Sequence, residues 1–374
     1  MKDGKLKLLH TADIHLDSAF EGLSPSKAAA RRAEQRALLM RIASLANREK
    51  VDALLLCGDV LDSESPYSET GELLRDCLRA VNAPVFIVPG NHDYYCSTSP
   101  YARLNFSENV FIFRTPDIEC FEMNDIGLRV YGAAFTDRTS PPLLEGFKAE
   151  KTDGITNIMC IHGDAGNPSS KYNGISQTQI EKSGIDYLAL GHIHKSGGLQ
   201  RTGSTFWSVP GCPEGRGFDE DGEKTLNIIE MENGGCRLRE ESVALRSYRK
   251  IEVDVTGINP IIAVQMALPD ETVRDIYRIT LTGQTDTEID QHKLERYFRE
   301  YFFALQIEDR TSPLKNRDIW SSAGNGTLRG IFLGKLKSRY ENAETEKERE
   351  TIKEAARWGL AALENMEEPV IHED

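Results

Sequence analysis

Five short polar motifs constrain this chain more than any other feature, because each follows directly on an apolar run of strand length. They are Asp13-Ile14-His15, Gly58-Asp59-Val60-Leu61-Asp62, Gly90-Asn91-His92-Asp93, His162-Gly163-Asp164 and Gly191-His192-Ile193-His194. Five of the eight histidines lie in them, which a scatter of surface histidines would not produce. Strands are expected over residues 6–12, 53–58, 85–89, 110–113, 128–134, 157–161, 187–190, 205–209 and 225–230. Ser24 and Pro25 open a helix running to about residue 49, with Ser24 as N-cap and Pro25 at the first helical position. A second helix is expected over about 68–80. Alternating strands and helices point to an α/β domain, and the close succession of strands after about residue 108 makes its sheets mixed rather than purely parallel.

Residues two apart on an extended segment point the same way, so Asp13 with His15, and His192 with His194, are expected to reach one site. Asp, Asn and His without Cys form a borderline-hard donor set, suited to Mn, Fe, Zn or Co rather than to a structural thiolate zinc. Gathered at the ends of adjacent strands, these donors can hold two metals. Two cations about 3.5–4 Å apart acidify a shared water and neutralise a phosphoryl group during in-line attack. A carboxylate bridge between them requires Asp59. His92, beside Asn91, is placed to protonate the leaving oxygen or meet its charge. Asp62, three residues beyond Asp59, is expected to orient His92 through a hydrogen bond.

At these residues the sequence resembles the calcineurin-like metallophosphoesterase superfamily, whose pattern D-x-H, G-D, G-N-H-D/E, H and G-H-x-H is matched at every ligand position. The resemblance implies an α/β fold of two packed mixed β-sheets flanked by helices. It places Asp13, His15, Asp59 and His194 on one metal and Asp59, Asn91, His162 and His192 on the other, leaves His92 as the acid, and makes manganese the expected ion. Residues His10 to Ser18, the later stretch Pro210 to Glu220, and Gly222-Glu223-Lys224 are similar to SbcD-type DNA repair exonucleases, the YhaO-like bacterial branch in particular. That branch implies a nuclease domain followed by a small α+β capping domain. Asp62 stands where archaeal and eukaryotic relatives of this group have histidine, a residue choice shared with phosphatases. Ser63-Glu64 after it differs from the Arg-Gly pair of phosphoprotein phosphatases.

The texture changes near Ser247, and the expected organisation is a phosphoesterase domain over 1–247, a capping domain over 248–312, and a linker with C-terminal helices over 313–374. Within the cap, strands are expected at 250–255 and 276–282, a short helix at 261–267 and a longer one at 288–305. Helices follow over 328–340 and 344–366. By the same resemblance, the terminal helices would dock on the coiled coil of an SMC-like, SbcC-type ATPase through an apolar stripe from Ile352 to Met366, although mid-helix Gly359 weakens a long rigid helix. The expected partners are DNA and that ATPase, with a homodimer compatible with the same organisation and no membrane.

Charge bears on the substrate. The chain carries 45 Lys+Arg against 59 Asp+Glu, net −14. Eleven acids and four bases from Glu341 to Asp374 put half of that excess, net −7, in the tail. The rest includes carboxylates that divalent cations would neutralise, so a polynucleotide substrate survives, but a long basic groove is not expected. The candidate substrate contacts are Tyr94, able to stack on an unpaired base, Arg31 with Arg32, Arg36 and Lys27 on the first helix, and Arg216 between two glycines. No apolar run approaches the roughly 18 residues of a membrane span. The N-terminus shows no signal sequence, and the seven cysteines include no CxxC, so reduced thiols and a cytoplasmic location are expected. The leading function is metal-dependent hydrolysis of DNA phosphodiesters, as exonuclease or endonuclease in DNA repair. The alternatives are a phosphoesterase for a small nucleotide or other ester, and a non-catalytic scaffold, which the full set of ligands disfavours.

Overall fold

The computed structural model describes residues 5–285, 288–313, 320, 323, 324 and 326–365. Two six-stranded sheets form the body. The first runs in the order Gly235–Glu241, Leu226–Glu232, Lys5–Thr11, Ala53–Cys57, Val85–Val88, Val110–Ile112, with the last four parallel and the first two antiparallel. In the second the order is Gly198–Thr202, Thr205–Val209, Tyr187–Gly191, Thr156–His162, Leu128–Gly132, Glu119–Met123, with four central parallel strands and an antiparallel strand at each edge.

Alternation along each strand sorts the side chains into layers. Leu55, Cys57, Leu8 and Phe86 of the first sheet meet Val130, Ile158, Cys160 and Tyr187 of the second in a core between the sheets. Leu54 and Leu56 face the other way, onto Leu38, Leu39 and Ile42 of helix Pro25–Glu49 and Leu74 and Leu78 of helix Ser68–Arg79. Met159 and Ile161 leave the central core for a third cluster with Ile180, Leu188 and Leu190. Both faces of the central strands are therefore buried, which is why they read as continuous apolar runs. The expected architecture, two mixed sheets flanked by helices, is the one observed.

Local signals set the first long helix. Ser24 is extended at φ −60°, ψ 152°, Pro25 opens the helix, and Lys50 in the left-handed region at φ 52° closes it. Three strands have no apolar run to announce them: Glu119–Met123, Gly198–Thr202 and Gly235–Glu241. Each is an edge strand with side chains turned to solvent, so pairing rather than composition forms it. The helix expected over 288–305 is shorter. Asp290 caps it by accepting from the Lys293 N–H at 2.9 Å, it spans Gln291–Phe298, and after a 3₁₀ turn the chain becomes strand Ala304–Asp309. That strand completes a three-stranded sheet with Tyr248–Asp254 and Ile276–Thr282. Tertiary pairing there overrides the helical period of the aromatic residues.

The chain divides into two compact units: the described residues within 1–253, 264–280 and 290–308, and those within 254–263, 281–289 and 309–374. In the second, helices Leu328–Glu341 and Glu346–Asn365 pack on each other. Gly359 does not interrupt the second helix. A Cβ at this position would collide with the ring of Phe332, so the glycine permits the close approach of the pair. Of the expected apolar stripe, Ala356 is buried, Ile352 half-buried and Leu363 exposed, while Met366 lies outside the described residues. Among the described residues no helix is long and apolar enough to cross a membrane.

Candidate metal centre

The first, second, third and fifth motifs leave the carboxyl ends of parallel strands, at Thr11, Cys57, Val88 and Gly191, and the fourth begins on the last strand residue, His162. That edge is where open α/β sheets place ligands. The loops are tied together by main-chain bonds, from the Asp13 N–H to Gly58 O at 3.0 Å, from His15 to Asp59 at 2.9 Å and from Leu16 to Val60 at 2.9 Å. Buried Asp93 gathers four more main-chain donors, Asp59, Val60, Leu61 and Gly90, and accepts from the Tyr101 hydroxyl at 2.6 Å. Two motif glycines are required by space. A Cβ on Gly90 would collide with the Asp59 carboxylate, and one on Gly191 with the Cys57 carbonyl.

The expected strand alternation is not what brings the ligands together. Asp13, His15, Asp59 and His192 all have positive φ, at 54°, 49°, 51° and 93°. They lie past the strand ends in left-handed turns that non-glycine residues rarely adopt. The loop hydrogen bonds hold this strain and swing the side chains to a common point, as happens at functional sites.

Hydrogen bonds also fix the imidazoles. Nδ1–H of His15 donates to Asp62 Oδ1 at 2.9 Å, that of His162 to Cys57 O at 2.9 Å, and that of His194 to Glu220 Oε1 at 2.6 Å. In the neutral form of each ring, Nε2 is thereby the nitrogen left to accept a metal. The Nε2 atoms of His15 and His194 lie 3.3 Å apart, and His194 Nε2 is 3.8 Å from Asp13 Oδ1. Asn91 Oδ1 lies 3.0 Å from His162 Nε2 and 3.2 Å from His192 Nδ1. Asp59 Oδ2 stands 3.6 Å from His15 Nε2 and 3.4 Å from His162 Nε2, bordering both groups. Asp13, His15 and His194, and separately Asp13, Asp59 and His162, present donor atoms within 4.8 Å of one another. Lone pairs from neutral imidazoles, carboxylates and an amide oxygen make a donor set that fits divalent cations.

Burial pushes the Asp13 carboxyl up to about 7, and pushes His15 and His192 down to about 4, so these two imidazoles are neutral at pH 7. For His162, burial opposes the charged form, but the charge and hydrogen bond of Asp59 outweigh it and raise the pKa to about 9. Burial likewise works to raise Asp59, yet the field of His162 and its neighbours holds it well below the usual carboxylate range. A cation must displace the protons on His162 and Asp13. Metal affinity is therefore expected to fall as pH drops from about 9 through about 7, with protons released on binding. Calorimetric titration with Mn²⁺ in buffers of different ionisation enthalpy measures this, and a pH-independent affinity would contradict it.

Two expected site residues, Asp62 and Arg31, occupy different roles from those predicted. The Asp62 carboxylate bonds His15, while His92 Nδ1 faces the Asp62 main-chain oxygen at 3.4 Å and the carboxylate only at 4.0 Å. Arg216 sits beside His194, with Nη2 3.0 Å from its Nδ1, but its guanidinium is engaged by Glu220 and by Asp62 at 3.4 Å. Arg31 is corrected as a phosphate contact. It is fully buried, pairs with Glu214 at 2.9 Å and Glu34 at 2.6 Å, and donates to Gly215 O. Arg31→Ala is expected to cost about 3 kcal/mol of stability, because buried Glu214 would keep only Arg41 at 3.5 Å and main-chain donors as partners, a loss that a denaturation curve reports. Tyr94 follows the Gly90-Asn91-His92-Asp93 motif, half-buried, and no described contact joins it to the ligand cluster.

Glu220 had no assigned role in the sequence. Burial alone would raise its carboxyl, and the hydrogen bonds from His194 and Arg216 outweigh this, holding it well below the usual range. Its signal was its place in a Gly-Arg-Gly-Phe-Asp-Glu stretch distant from every motif, which spacing alone cannot connect to His194. Glu220→Gln is expected to weaken metal binding about 10- to 100-fold, as read by Mn²⁺ titration.

A calcineurin-like phosphoesterase model matches residues 6–196, just over half of the chain. The chain belongs to the calcineurin-like phosphoesterase family. Among the relatives of this phosphoesterase is the uncharacterized metallophosphoesterase YhaO of Bacillus subtilis (strain 168), 29% identical over 279 residues that cover 71% of this chain and 67% of that one. The SbcD component of the SbcCD nuclease of Escherichia coli (strain K12) is 32% identical over an aligned 384 positions, covering 84% and 92%. Its counterpart in the SbcCD nuclease of Bacillus subtilis (strain 168) is 24% identical over 269 residues, covering 61% and 67%.

Proposed function

We propose that this phosphoesterase uses two divalent cations, manganese first among them, to hydrolyse DNA phosphodiesters. The observation that carries the reading is Asp59 Oδ2 between His15 Nε2 and His162 Nε2, one carboxylate oxygen common to both donor groups. Asp13, His15, Asp59 and His194 would hold one cation, and Asp59, Asn91, His162 and His192 the other. Bound there, the pair neutralises phosphoryl charge and acidifies the attacking water. Asp62 and Glu220 keep the Nε2 atoms of His15 and His194 turned to the metals. His92, its side chain 46% exposed at the rim of the cluster, would give Nδ1–H to the Asp62 carbonyl and, when doubly protonated, donate its Nε2 proton to the leaving oxygen, ending as the neutral Nδ1–H ring.

DNA as substrate rests on the relatives that are named as nuclease components and on the resemblance of the sequence to SbcD-type nucleases. The same resemblance supports work in DNA repair, residues 248–312 as a capping domain, and an SMC-like ATPase as partner of the C-terminal helices, where Trp358 is 77% exposed; seven cysteines without a CxxC support a reducing, cytoplasmic location. The net charge of −14 favours a second reading, a small nucleotide or other phosphoester. The test is cleavage of end-labelled single- and double-stranded DNA by the metal-stripped chain with and without Mn²⁺, beside a small phosphodiester. Metal-dependent DNA cleavage is expected. Turnover of the small ester alone would move the substrate to the second reading.

A further inference from the structure

The two donor groups of the metal centre are held from behind in different ways. His162, grouped with Asn91 and His192, gives its Nδ1–H to a main-chain carbonyl, Cys57 O. His15 and His194, whose Nε2 atoms lie 3.3 Å apart, each give theirs to a carboxylate, Asp62 Oδ1 at 2.9 Å and Glu220 Oε1 at 2.6 Å. A carboxylate in this position fixes the ring and makes it a more basic ligand. A carboxylate free to rotate would release the ring with it, so the arrangement needs something to hold the carboxylates themselves.

Arg216 meets both of them, and at the same two oxygens. Nη1 stands 3.4 Å from Asp62 Oδ1 and Nη2 2.6 Å from Glu220 Oε1. Nε lies 3.2 Å from Glu220 Oε1 and 3.3 Å from Oε2, and the Arg216 main-chain N–H donates to Oε2 at 2.8 Å. Each shared oxygen thus accepts one imidazole and one arm of the guanidinium. The 3.0 Å between Nη2 and His194 Nδ1 is the approach of two donors converging on Glu220 Oε1. Together the contacts close a ring that runs from His15 through Asp62, Arg216 and Glu220 to His194. The local sequence shapes the loop for it. A Cβ on Gly215 would come 2.7 Å from Glu220 O, the 3₁₀ turn Phe218–Glu220 brings the carboxylate back onto Arg216, and Phe218 anchors that turn edge-on against Tyr248 with ring centroids 5.1 Å apart.

We propose that Arg216 is a positioning residue for one of the two cations, clamping Asp62 and Glu220 so that His15 and His194 present Nε2 to the ion they would share with Asp13 and Asp59. The inference rests on the two-cation reading of the site. It replaces the phosphate contact expected of Arg216, because both arms of the guanidinium already serve carboxylates. A planar fork suits the role, since it can hold two carboxylates at fixed angles where an ammonium is only a point charge. Clamp and bare charge also differ in sign. A nearby positive charge repels a metal ion, so removing it would tighten binding, whereas removing a clamp loosens it.

The test is calorimetric titration of the full, metal-stripped chain with Mn²⁺, which resolves the affinities of the first and second ion. In Arg216→Ala one affinity is expected to fall about 10- to 100-fold while the other stays within about twofold. Arg216→Lys, the gentler change, keeps the charge and loses the fork, and is expected to weaken the same ion. In the Arg216→Ala, Glu220→Gln double variant the loss should fall well short of the product of the single losses, because both residues act on His194. Unchanged or tighter binding in Arg216→Ala, an equal loss at both ions, a Lys variant that binds like wild type, or losses that multiply would each overturn the clamp. Unchanged metal affinities with a raised KM for a small phosphodiester would return Arg216 to the phosphate. A wild type that saturates at one ion would overturn the two-cation reading itself.

Discussion

Asp59→Asn is expected to reduce phosphoesterase turnover by at least about 10³-fold, the upper range for removing one group that meets transition-state charge. The substitution keeps the size of the side chain, and an amide oxygen can still accept from the His92 N–H that donates to Asp59 Oδ1 at 2.9 Å. The loop should therefore hold. What is removed is the negative charge whose Oδ2 borders both His15 and His162. Without it the two halves of the donor set lose their common ligand, and metal content should fall from two ions per chain to one or fewer. Turnover of a small phosphodiester together with elemental analysis measures both. Retained activity with two bound metals would mean that Asp59 shapes the loop and does not bridge.

His92→Ala should separate from this. The side chain is not among the proposed ligands, so metal content is expected to stay at two, while turnover falls by about 10²- to 10⁴-fold, the usual worth of a positioned acid. The loss should depend on the leaving group. An ester that expels a nitrophenolate needs little protonation and should be affected least, whereas the 3′ or 5′ oxygen of a nucleotide needs a proton and should be affected most. A uniform loss across leaving groups would make His92 an electrostatic contact to the phosphoryl oxygens and not an acid. Loss of metal would put it in the coordination sphere, since its donor atom also lies within 4.8 Å of those of His15 and Asp62.

Much of this site was legible before the fold was seen. The central strands are buried on both faces and so carry unbroken apolar runs, and the ligand motifs stand at their ends in chain order. The conformations that converge them were not legible. Alternation on extended strands predicts a shared side for Asp13 and His15, but positive φ at both residues and at Asp59 does the work, fixed by bonds between loops some 45 residues apart in sequence, such as the one from His15 to Asp59. Long-range partners account for the other differences. Asp62 stands three residues beyond Asp59, yet its carboxylate bonds His15 on a different loop, and Glu220 reaches His194 across a stretch without any spacing rule. Arg31 looks like a basic helix surface until Glu214, far along the chain, is found buried against it. Edge strands such as Gly235–Glu241 carry no apolar run because one face meets solvent. In each case the missing information is a tertiary contact, which local pattern does not encode.

The central claim is a pair of cations held by one shared carboxylate. Electron paramagnetic resonance of the full chain titrated with Mn²⁺ addresses it directly, since two Mn²⁺ ions bridged by Asp59 couple magnetically. The spectrum of an exchange-coupled pair at two equivalents of metal, reduced to an isolated-ion spectrum by Asp59→Asn, is the predicted result. Saturation at one equivalent, or two ions that give only uncoupled spectra in the wild type, would contradict it.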